Sequence, residues 1–320
     1  MLVRQGNGIL VEMDGRRFRF DPGRLVKDEV CMVSHAHSDH LPSGLKHPHA
    51  LCSDITRDFI GLRKGKAVQT YTDKQITMLD AGHIPGSTMF LVEGEKRVLY
   101  TGDFCTRDRE IAKGAKPVEC DILVMEATYG DPLYVFPDRD EIMSVARDWF
   151  EDLLDHGRSA VLFAYPLGKS QELAVAFRDL PVLLHPTVAE NNRLLNSHGY
   201  DLVVDEYTGP RHDPFVYITP GMSADKARVK PMVEQGARMA QFTGWALRGG
   251  SSPIAGTFNA FPVSDHCGFD ELLAFAKACG PEMIYTTHGS TKELAFHIKK
   301  ELGIDAQPLS KRQRTIDQFC

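Results

Sequence analysis

Short runs of alternating apolar and polar residues in the first 130 positions predict a series of β-strands. Turn residues separate these runs, and Asp14-Gly15 between two of them is a strong hairpin signal. The predicted strands are 8–13, 16–20, 30–34, 67–71, 75–80, 88–92, 97–101 and 121–127. This part of the chain is therefore expected to be rich in β-structure.

The pattern changes to a helical period over residues 139–156. Apolar residues recur there at helical spacing, Asp138 and Glu141 form a cap pair, and Gly157 ends the predicted helix. Strands at 159–165, 182–185, 215–219 and 239–245 then alternate with helices at 170–177 and 189–197. Such alternation is typical of an α/β unit with a parallel sheet.

The last part of the chain returns to capped helices. A helix over 269–279 ends at Gly280-Pro281, and a strand over 283–287 precedes His288. Residues 290–293 (Ser-Thr-Lys-Glu) have the pattern of a capping box for a helix that stops at Gly303.

Composition places the chain among ordinary globular proteins. It has 320 residues, 42% hydrophobic and 25% charged, with a net charge of −6. This charge does not indicate binding of nucleic acid by bulk electrostatics, although a locally positive groove stays compatible with it. The seven cysteines form no Cys-x-x-Cys pair, which argues against a disulfide framework or a cysteine zinc site. Without a secretory signal or a membrane-spanning run, a cytoplasmic protein with no membrane contact is expected.

A dense group of metal-ligand residues follows the apolar run 30–33. Residues 35–40 (His-Ala-His-Ser-Asp-His) place four candidate ligands in six positions. Three further signals follow in chain order, at 82–87 (Gly-His-Ile-Pro-Gly-Ser), 101–103 (Thr-Gly-Asp) and 287–289 (Thr-His-Gly). Together they supply nitrogen and oxygen donors for two divalent cations that activate water for hydrolysis. Imidazole mixed with carboxylate suits zinc, and manganese or iron would also fit.

The last of these ligands lies far along the chain from the others. His288 follows Asp103 by some 185 residues, yet it must reach the same metals. An α/β module inserted within the metal-binding fold explains this separation.

The ordered motifs resemble the metallo-β-lactamase superfamily, and most closely its nucleic-acid-processing β-CASP branch. Residues 126–130 (Glu-Ala-Thr-Tyr-Gly) and 264–266 (Ser-Asp-His) are similar to motifs of that branch. The resemblance implies an αββα metallo-β-lactamase sandwich with an inserted α/β β-CASP domain that has a parallel sheet. The implied metallo-β-lactamase domain comprises 1–130 and 265–320, and the β-CASP domain comprises 131–264.

The resemblance also implies a role for each motif residue. One metal would be held by His35, His37 and His83, and the other by Asp39, His40 and His288, while Asp103 would bridge the two. Asp39 is expected to be catalytic as well, together with Glu126 and His266. His266 is the candidate general acid, because an adjacent carboxylate orients a histidine and favours its protonated form.

Other candidate residues lie around these motifs. Asp21 is expected to fix a ligand loop, the alternative being a turn residue before Pro22-Gly23. Substrate phosphate would meet the helix that begins near Lys169 and Ser170. A nucleotide-binding Walker loop is rejected there, since it would need glycine where Phe163 stands. The remaining candidates are phosphate contacts at Ser87 and Ser290 and a core position for Trp245 rather than a base-stacking one.

The reaction predicted by this resemblance is metal-dependent hydrolysis of nucleic-acid phosphodiester bonds. Stretches 120–132, 157–173 and 242–245 are most similar to bacterial ligase-associated DNA exonucleases, with Artemis/Apollo-type nucleases more distant. A DNA-processing exonuclease is favoured, acting alone or in a repair or processing complex. Histidine at 288 instead favours an RNA-cleaving enzyme of the ribonuclease J or polyadenylation-factor type. Polarity, endonucleolytic or exonucleolytic action and oligomeric state stay open.

Three other functions compete with a nuclease. A small-molecule hydrolase of the superfamily would not need Glu126, His266 or the inserted module. A di-iron electron-transfer enzyme usually has glutamate where His37 stands. A catalytically inactive binding subunit would have lost ligands, whereas this chain keeps the whole set.

Overall fold

The computed structural model describes residues 1–248 and 258–309. The chain forms two compact units: unit 1 comprises Met1–Pro132 and His266–Cys320, and unit 2 comprises Leu133–Asp265. The assignment of residues 1–130 with 265–320 and of 131–264 to the two named domains stays a prediction.

Most strands of unit 1 precede unit 2, and strands alternate with helices from β9 to β12. The strands are β1 Leu2–Gly6, β2 Gly8–Met13, β3 Arg16–Phe20, β4 Val30–Met32, β5 Ile76–Asp80, β6 Thr88–Glu93, β7 Arg97–Tyr100, β8 Ile122–Ala127, β9 Ala160–Phe163, β10 Val182–Leu184, β11 Val216–Thr219, β12 Arg238–Phe242, β13 Phe258–Phe261, β14 Met283–Gly289 and β15 Asp305–Pro308. The helices are α1 Asp54–Lys64, α2 Arg139–Asp155, α3 Lys169–Ala176, α4 Pro186–Ser197, α5 Met222–Glu234, α6 Phe269–Cys279 and α7 Thr291–His297. A 3₁₀ turn occupies Gly244–Arg248, and a π-helical turn occupies Ile298–Leu302.

Unit 1 contains two sheets, of four strands (β1-β2-β3-β4) and six strands (β15-β14-β8-β7-β6-β5). Side-chain alternation along β8 sends Val124 into a core shared with Phe18 of the other sheet, while Leu123 packs with residues of α6 and α7. On the far side of the four-stranded sheet, Cys31 packs with Ile60 of α1. The layers therefore run helix, sheet, sheet, helix, and the predicted αββα fold class is confirmed.

Unit 2 is built on a five-stranded parallel sheet in the order β10-β11-β9-β12-β13. Most residues of its strands are apolar, and both faces of the sheet pack against helices. Leu162 of β9 packs with residues of α2, α3 and α4, whereas its neighbour Val161 packs with residues of α5. The predicted parallel α/β unit is therefore confirmed.

Some local predictions are wrong. Residues 67–71 form no strand, and Gln69 makes only an isolated bridge to His49. The strand predicted over 239–245 ends at Phe242, where the chain enters the 3₁₀ turn. Ser290 precedes α7, but its side chain makes no capping hydrogen bond. Within the described ranges, no helix has the length and apolar character needed to cross a membrane.

Candidate metal centre

The candidate ligands lie in loops or strand ends of unit 1, where a rigid sheet can aim side chains. His35 follows β4, His83 lies between β5 and β6, and Asp103 follows β7. Glu126 lies near the end of β8, and His288 lies near the end of the adjacent strand β14. The two sheets of unit 1 therefore bring together residues that are distant in the sequence.

Asp103 lies at the centre of the gathered side chains. Its Oδ2 is 3.7 Å from Nε2 of His35, 3.5 Å from Nε2 of His40 and 4.0 Å from Nε2 of His83. Its Oδ1 is 3.5 Å from Nδ1 of His288. The two carboxylate oxygens therefore face different sets of imidazoles.

These side chains form two groups of closely spaced donor atoms. One group contains His35, His37, His83 and Asp103, and the other contains His40, Asp103 and His288. Within each group the donor atoms all lie within 4.8 Å of one another. Asp103 belongs to both groups, which is the geometry expected of a bridging carboxylate.

The chemistry of the first group fits a bound cation. Nε2 of His35 is buried and makes no hydrogen bond with any residue that the structure describes. Burial and the neighbouring His40 hold the pKa of His35 well below its usual range. The ring is therefore neutral, with a lone pair available to a metal ion.

The second group is also shaped by Asp103. Burial lowers the pKa of His40, but Asp103 and Asp21 outweigh it and place that pKa well above its usual range. A hydrogen bond with Asp103 likewise raises the pKa of His288. This carboxylate charge attracts a cation, whether a proton or a metal ion, to the imidazole nitrogens.

Asp39 is the one predicted ligand that the structure leaves outside both groups of described residues. Its side chain is 79% exposed, and its Oδ2 lies 3.7 Å from Nε2 of His40. The predicted ligand and catalytic roles of Asp39 therefore stay predictions, with less geometric support than those of the histidines.

Asp21 holds the loop that carries the first histidines. Its Oδ1 accepts the backbone N–H of Ser34 at 2.6 Å, and its Oδ2 accepts the hydroxyls of Ser34 at 2.6 Å and Tyr100 at 2.7 Å. The same oxygen lies 2.8 Å from Nδ1 of His40. Because Asp21 occupies Nδ1, the Nε2 atom of His40 is directed toward Asp103. This arrangement supports the predicted orienting role.

The loop that carries His83 is held by internal hydrogen bonds. The Ser87 hydroxyl accepts the backbone N–H groups of His83 at 3.0 Å and Ile84 at 3.2 Å, and Ser87 is buried. Arg109 donates to the carbonyl of His83 at 2.6 Å and to that of Gly82. Ser87 thus organises a ligand loop, and its burial does not favour the predicted phosphate contact.

A β-bulge aims His288 at the metal centre. Strict alternation along β14 would send it to the helix side, with Ile284. Instead, the register shifts between Thr287 and Gly289, and His288 adopts a left-handed φ of 54°. Gly289, at φ 70°, cannot carry a side chain, because a Cβ would lie 2.3 Å from the carbonyl oxygen of Ala127.

His266 and Glu126 form a pair beside these groups. Nδ1 of His266 lies 2.9 and 3.0 Å from the two carboxylate oxygens of Glu126. Glu126 is 1% exposed and also accepts the Phe104 N–H at 2.7 Å and the Thr128 hydroxyl. The ring centroid of His266 is 4.4 Å from that of His83. The pair therefore places a carboxylate-oriented imidazole beside the ligand histidines.

The remaining predicted phosphate contacts are Lys169, Ser170 and Ser290, which differ in burial. In unit 2, Lys169 is 2% exposed and pairs with Glu172 at 3.1 Å, while the hydroxyl of buried Ser170 donates to the carbonyl of Tyr165 at 2.7 Å. Buried and engaged in this way, Lys169 and Ser170 do not support the predicted phosphate binding. Ser290 is half-buried in unit 1 and stays a prediction.

Sequence reasoning missed several residues that brace the ligand loops. Ser34 and Tyr100 bind Asp21, Arg63 donates to the carbonyl of Ala36, and Arg107 donates to the carbonyl of His266 at 2.7 Å. Arginines close to ligand motifs, such as Arg107 after Asp103, were the available signal. Their targets are main-chain carbonyls, which the sequence cannot identify.

Three comparisons relate the chain to known proteins. Residues 252–307 match the family model described as a Zn-dependent metallo-hydrolase RNA specificity domain. A crystal structure of a protein of unknown function from Enterococcus faecalis V583 has a TM-score of 0.63 and 12% identity. The similarity covers 98% of both chains and shows a shared fold.

Curated relatives carry names associated with both DNA and RNA. The chain is 35% identical over 291 residues to a probable DNA ligase of Opitutus terrae, covering 86% of this chain and 28% of that protein. It is 30% identical over 142 residues to the probable RNase MJ4 of Methanocaldococcus jannaschii, covering 41% and 33%. It is 24% identical over 366 residues to human protein artemis, covering 94% and 52%.

The chain spans about half or less of the length of these three relatives. The matched family model, the named relatives and the two groups of ligand atoms around Asp103 point to one family. These findings are consistent with the β-CASP nuclease branch of the metallo-β-lactamase superfamily.

Proposed function

We propose that this protein is a metal-dependent nuclease that hydrolyses phosphodiester bonds of DNA, with two divalent ions bound around Asp103. One observation carries the proposal: Asp103 is shared by two donor groups, and His266 lies beside them, paired with the buried Glu126. Zinc is the favoured metal because the donors are mostly imidazole nitrogens, and manganese is the alternative.

The proposed chemistry divides between the metals and the protein. When bound, the ions would supply Lewis acidity and lower the pKa of a water molecule. The protein would contribute His266, whose Nδ1 faces Glu126 and whose Nε2 would give a proton to the leaving oxygen. Hydrogen bonds from Phe104 N–H and Thr128 fix the Glu126 carboxylate, which holds the imidazole in one orientation.

DNA is the proposed substrate because the probable DNA ligase relative covers most of this chain at 35% identity. The protein artemis match covers even more of the chain, at lower identity. RNA cleavage is the second candidate, favoured by the match to an RNA specificity domain and by the RNase-named relatives.

Matched DNA and RNA strands, labelled at either end, test the proposal with zinc or manganese. We expect cleavage of DNA by the wild type and a loss of at least 100-fold in kcat in Asp103→Ala and His266→Ala. His156→Ala is the control, because this exposed histidine on the surface of unit 2 should leave the rate unchanged.

Two results would overturn parts of the proposal. Full activity of His266→Ala would remove the proton-donor role, whereas RNA cleavage without DNA cleavage would replace the substrate. Hydrolysis of a thioester or lactone without cleavage of either polymer would show that the protein is a small-molecule hydrolase.

A further inference from the structure

Unit 2 exposes a group of large side chains that its core does not use. The exposed fractions are 66% for Leu133, 52% for Val135, 64% for Tyr165 and 44% for Trp245. The sequence predicted Trp245 as a core residue, and its exposure shows this prediction to be wrong. We call Tyr165, Trp245 and the exposed Arg248 the aromatic platform.

The topology of the sheet brings the two rings of the platform to the same edge. Tyr165 follows β9, Trp245 follows β12, and these strands are parallel neighbours in which Phe163 lies opposite Gln241. Both residues therefore lie just beyond the carboxyl edge of the sheet. Parallel sheets of this kind bind ligands at that edge, at the point where successive connections change face.

Unit 2 has such a point at β9. The helix α3 follows β9 and contributes Leu173 to the core on one face. The helix α5 follows the adjacent strand β11 and contributes Val229 to the core on the opposite face. Tyr165 follows β9 at this switch point, and Trp245 follows the neighbouring strand β12.

The side chain of Trp245 packs against a buried tyrosine. Its ring meets that of Tyr134 edge to face, with centroids 5.3 Å apart at 86°, and Tyr134 is fully buried. The guanidinium of Arg248 lies 4.9 Å from the centroid of the Tyr134 ring. The exposed indole is therefore ordered before anything binds it, which lowers the entropy lost on binding.

We propose that the aromatic platform stacks the unpaired bases of single-stranded nucleic acid. This inference rests on the proposed nuclease function and narrows its substrate. Aromatic faces stack on any base, and an adjacent arginine can meet the phosphate or stack in turn. Because the chain carries a net charge of −6, affinity for a polyanion benefits from a contribution that does not depend on bulk charge.

Binding of base-bearing and abasic strands tests the platform. In the Asp103→Asn background, which prevents cleavage, fluorescence anisotropy compares a 12-nucleotide oligo-dT with an abasic strand of equal length and with a duplex. We expect oligo-dT to bind about tenfold more tightly than the other two strands. Trp245→Ala should remove this difference without changing abasic binding, whereas Trp245→Phe should keep most of it.

Phe296→Ala is the matched control, because Phe296 is 58% exposed but lies in unit 1. We expect it to leave the preference for bases unchanged. A second measurement uses Trp149→Phe, which leaves Trp245 as the single tryptophan of the chain. Oligo-dT should quench its emission, and the abasic strand should not.

The possible failures are distinguishable. If the wild type cleaves no nucleic acid, the proposed function fails. If it cleaves, but Trp245→Ala keeps the preference for bases or emission is not quenched, the platform proposal alone fails. Sedimentation tests a third outcome. If the wild type forms dimers and Trp245→Ala does not, a second copy of the chain covers the aromatic platform, and the platform proposal is overturned.

Discussion

Replacement of Lys169 by methionine should destabilise unit 2 rather than weaken substrate binding. Lys169 is 2% exposed, and its Nζ lies 3.1 Å from Oε2 of Glu172 and 3.8 Å from Oδ1 of Asp265, both buried. Methionine nearly conserves the volume but leaves the two carboxylates without this cation. Removal of one partner of a buried pair costs about 3–5 kcal/mol.

The lower end of that range applies here. Arg139 still donates to Oε1 of Glu172 at 2.7 Å, so this carboxylate keeps one cation. We therefore expect the free energy of unfolding of unit 2 to fall by about 3 kcal/mol. With a urea dependence of about 2 kcal/mol/M, the urea midpoint should fall by about 1.5 M.

Tryptophan fluorescence reports specifically on the unfolding of unit 2, because Trp149 and Trp245 are the two tryptophans of the chain and both lie in that unit. Circular dichroism of the whole chain then shows whether unit 1 unfolds separately. An unchanged urea midpoint of Lys169→Met together with a raised KM for nucleic acid would refute a stabilising role for Lys169. It would restore Lys169 as a phosphate contact.

Three further predictions concern unit 1. Gly289→Ala should abolish binding of zinc, measured by calorimetry, because its Cβ meets the Ala127 carbonyl; Gly303→Ala, with φ 69° and open space, is the control and should bind normally. Asp21→Asn should lower zinc affinity by about 10–100-fold, since it removes the carboxylate that orients His40, and equal affinity would contradict that role. Burial raises the pKa of Cys52 to about 12, so at pH 8 the folded chain keeps a thiol there. Mass spectrometry should therefore show slow alkylation of Cys52 that accelerates on unfolding, and rapid labelling of the folded chain would be inconsistent with this burial.

The sequence predicts those parts of the molecule that depend on local pattern. β2 and β3 match the alternation on either side of Asp14-Gly15, and α6 matches its helical period to the residue. The histidines and Asp103 were predicted as ligands because each follows or ends a strand and belongs to a motif of ligand residues, and the structure brings their donor atoms together. Local spacing and strand-end position are both visible in one dimension.

What escaped prediction depends on contacts between distant residues. The burial of Lys169 is stabilised by Glu172 and by Asp265, nearly one hundred positions away. The direction of His288 depends on a bulge that exists only once β14 has paired with β8. The helix α1 was missed because, among its eleven residues, only Thr56, Phe59 and Ile60 are buried, too few for a clear apolar period.

The pairing of β14 with β8 has a consequence for biosynthesis. Roughly 160 residues separate the two strands, so at about 5–20 residues per second the ribosome needs about 8–30 s between them. During this interval the edge of β8 that later pairs with β14 has no neighbouring strand. Five of the six residues of β8 are apolar, and such an open edge favours aggregation. Rapid folding of unit 2 would shorten this interval, and the group of His40, Asp103 and His288 cannot form until residue 288 has been synthesised.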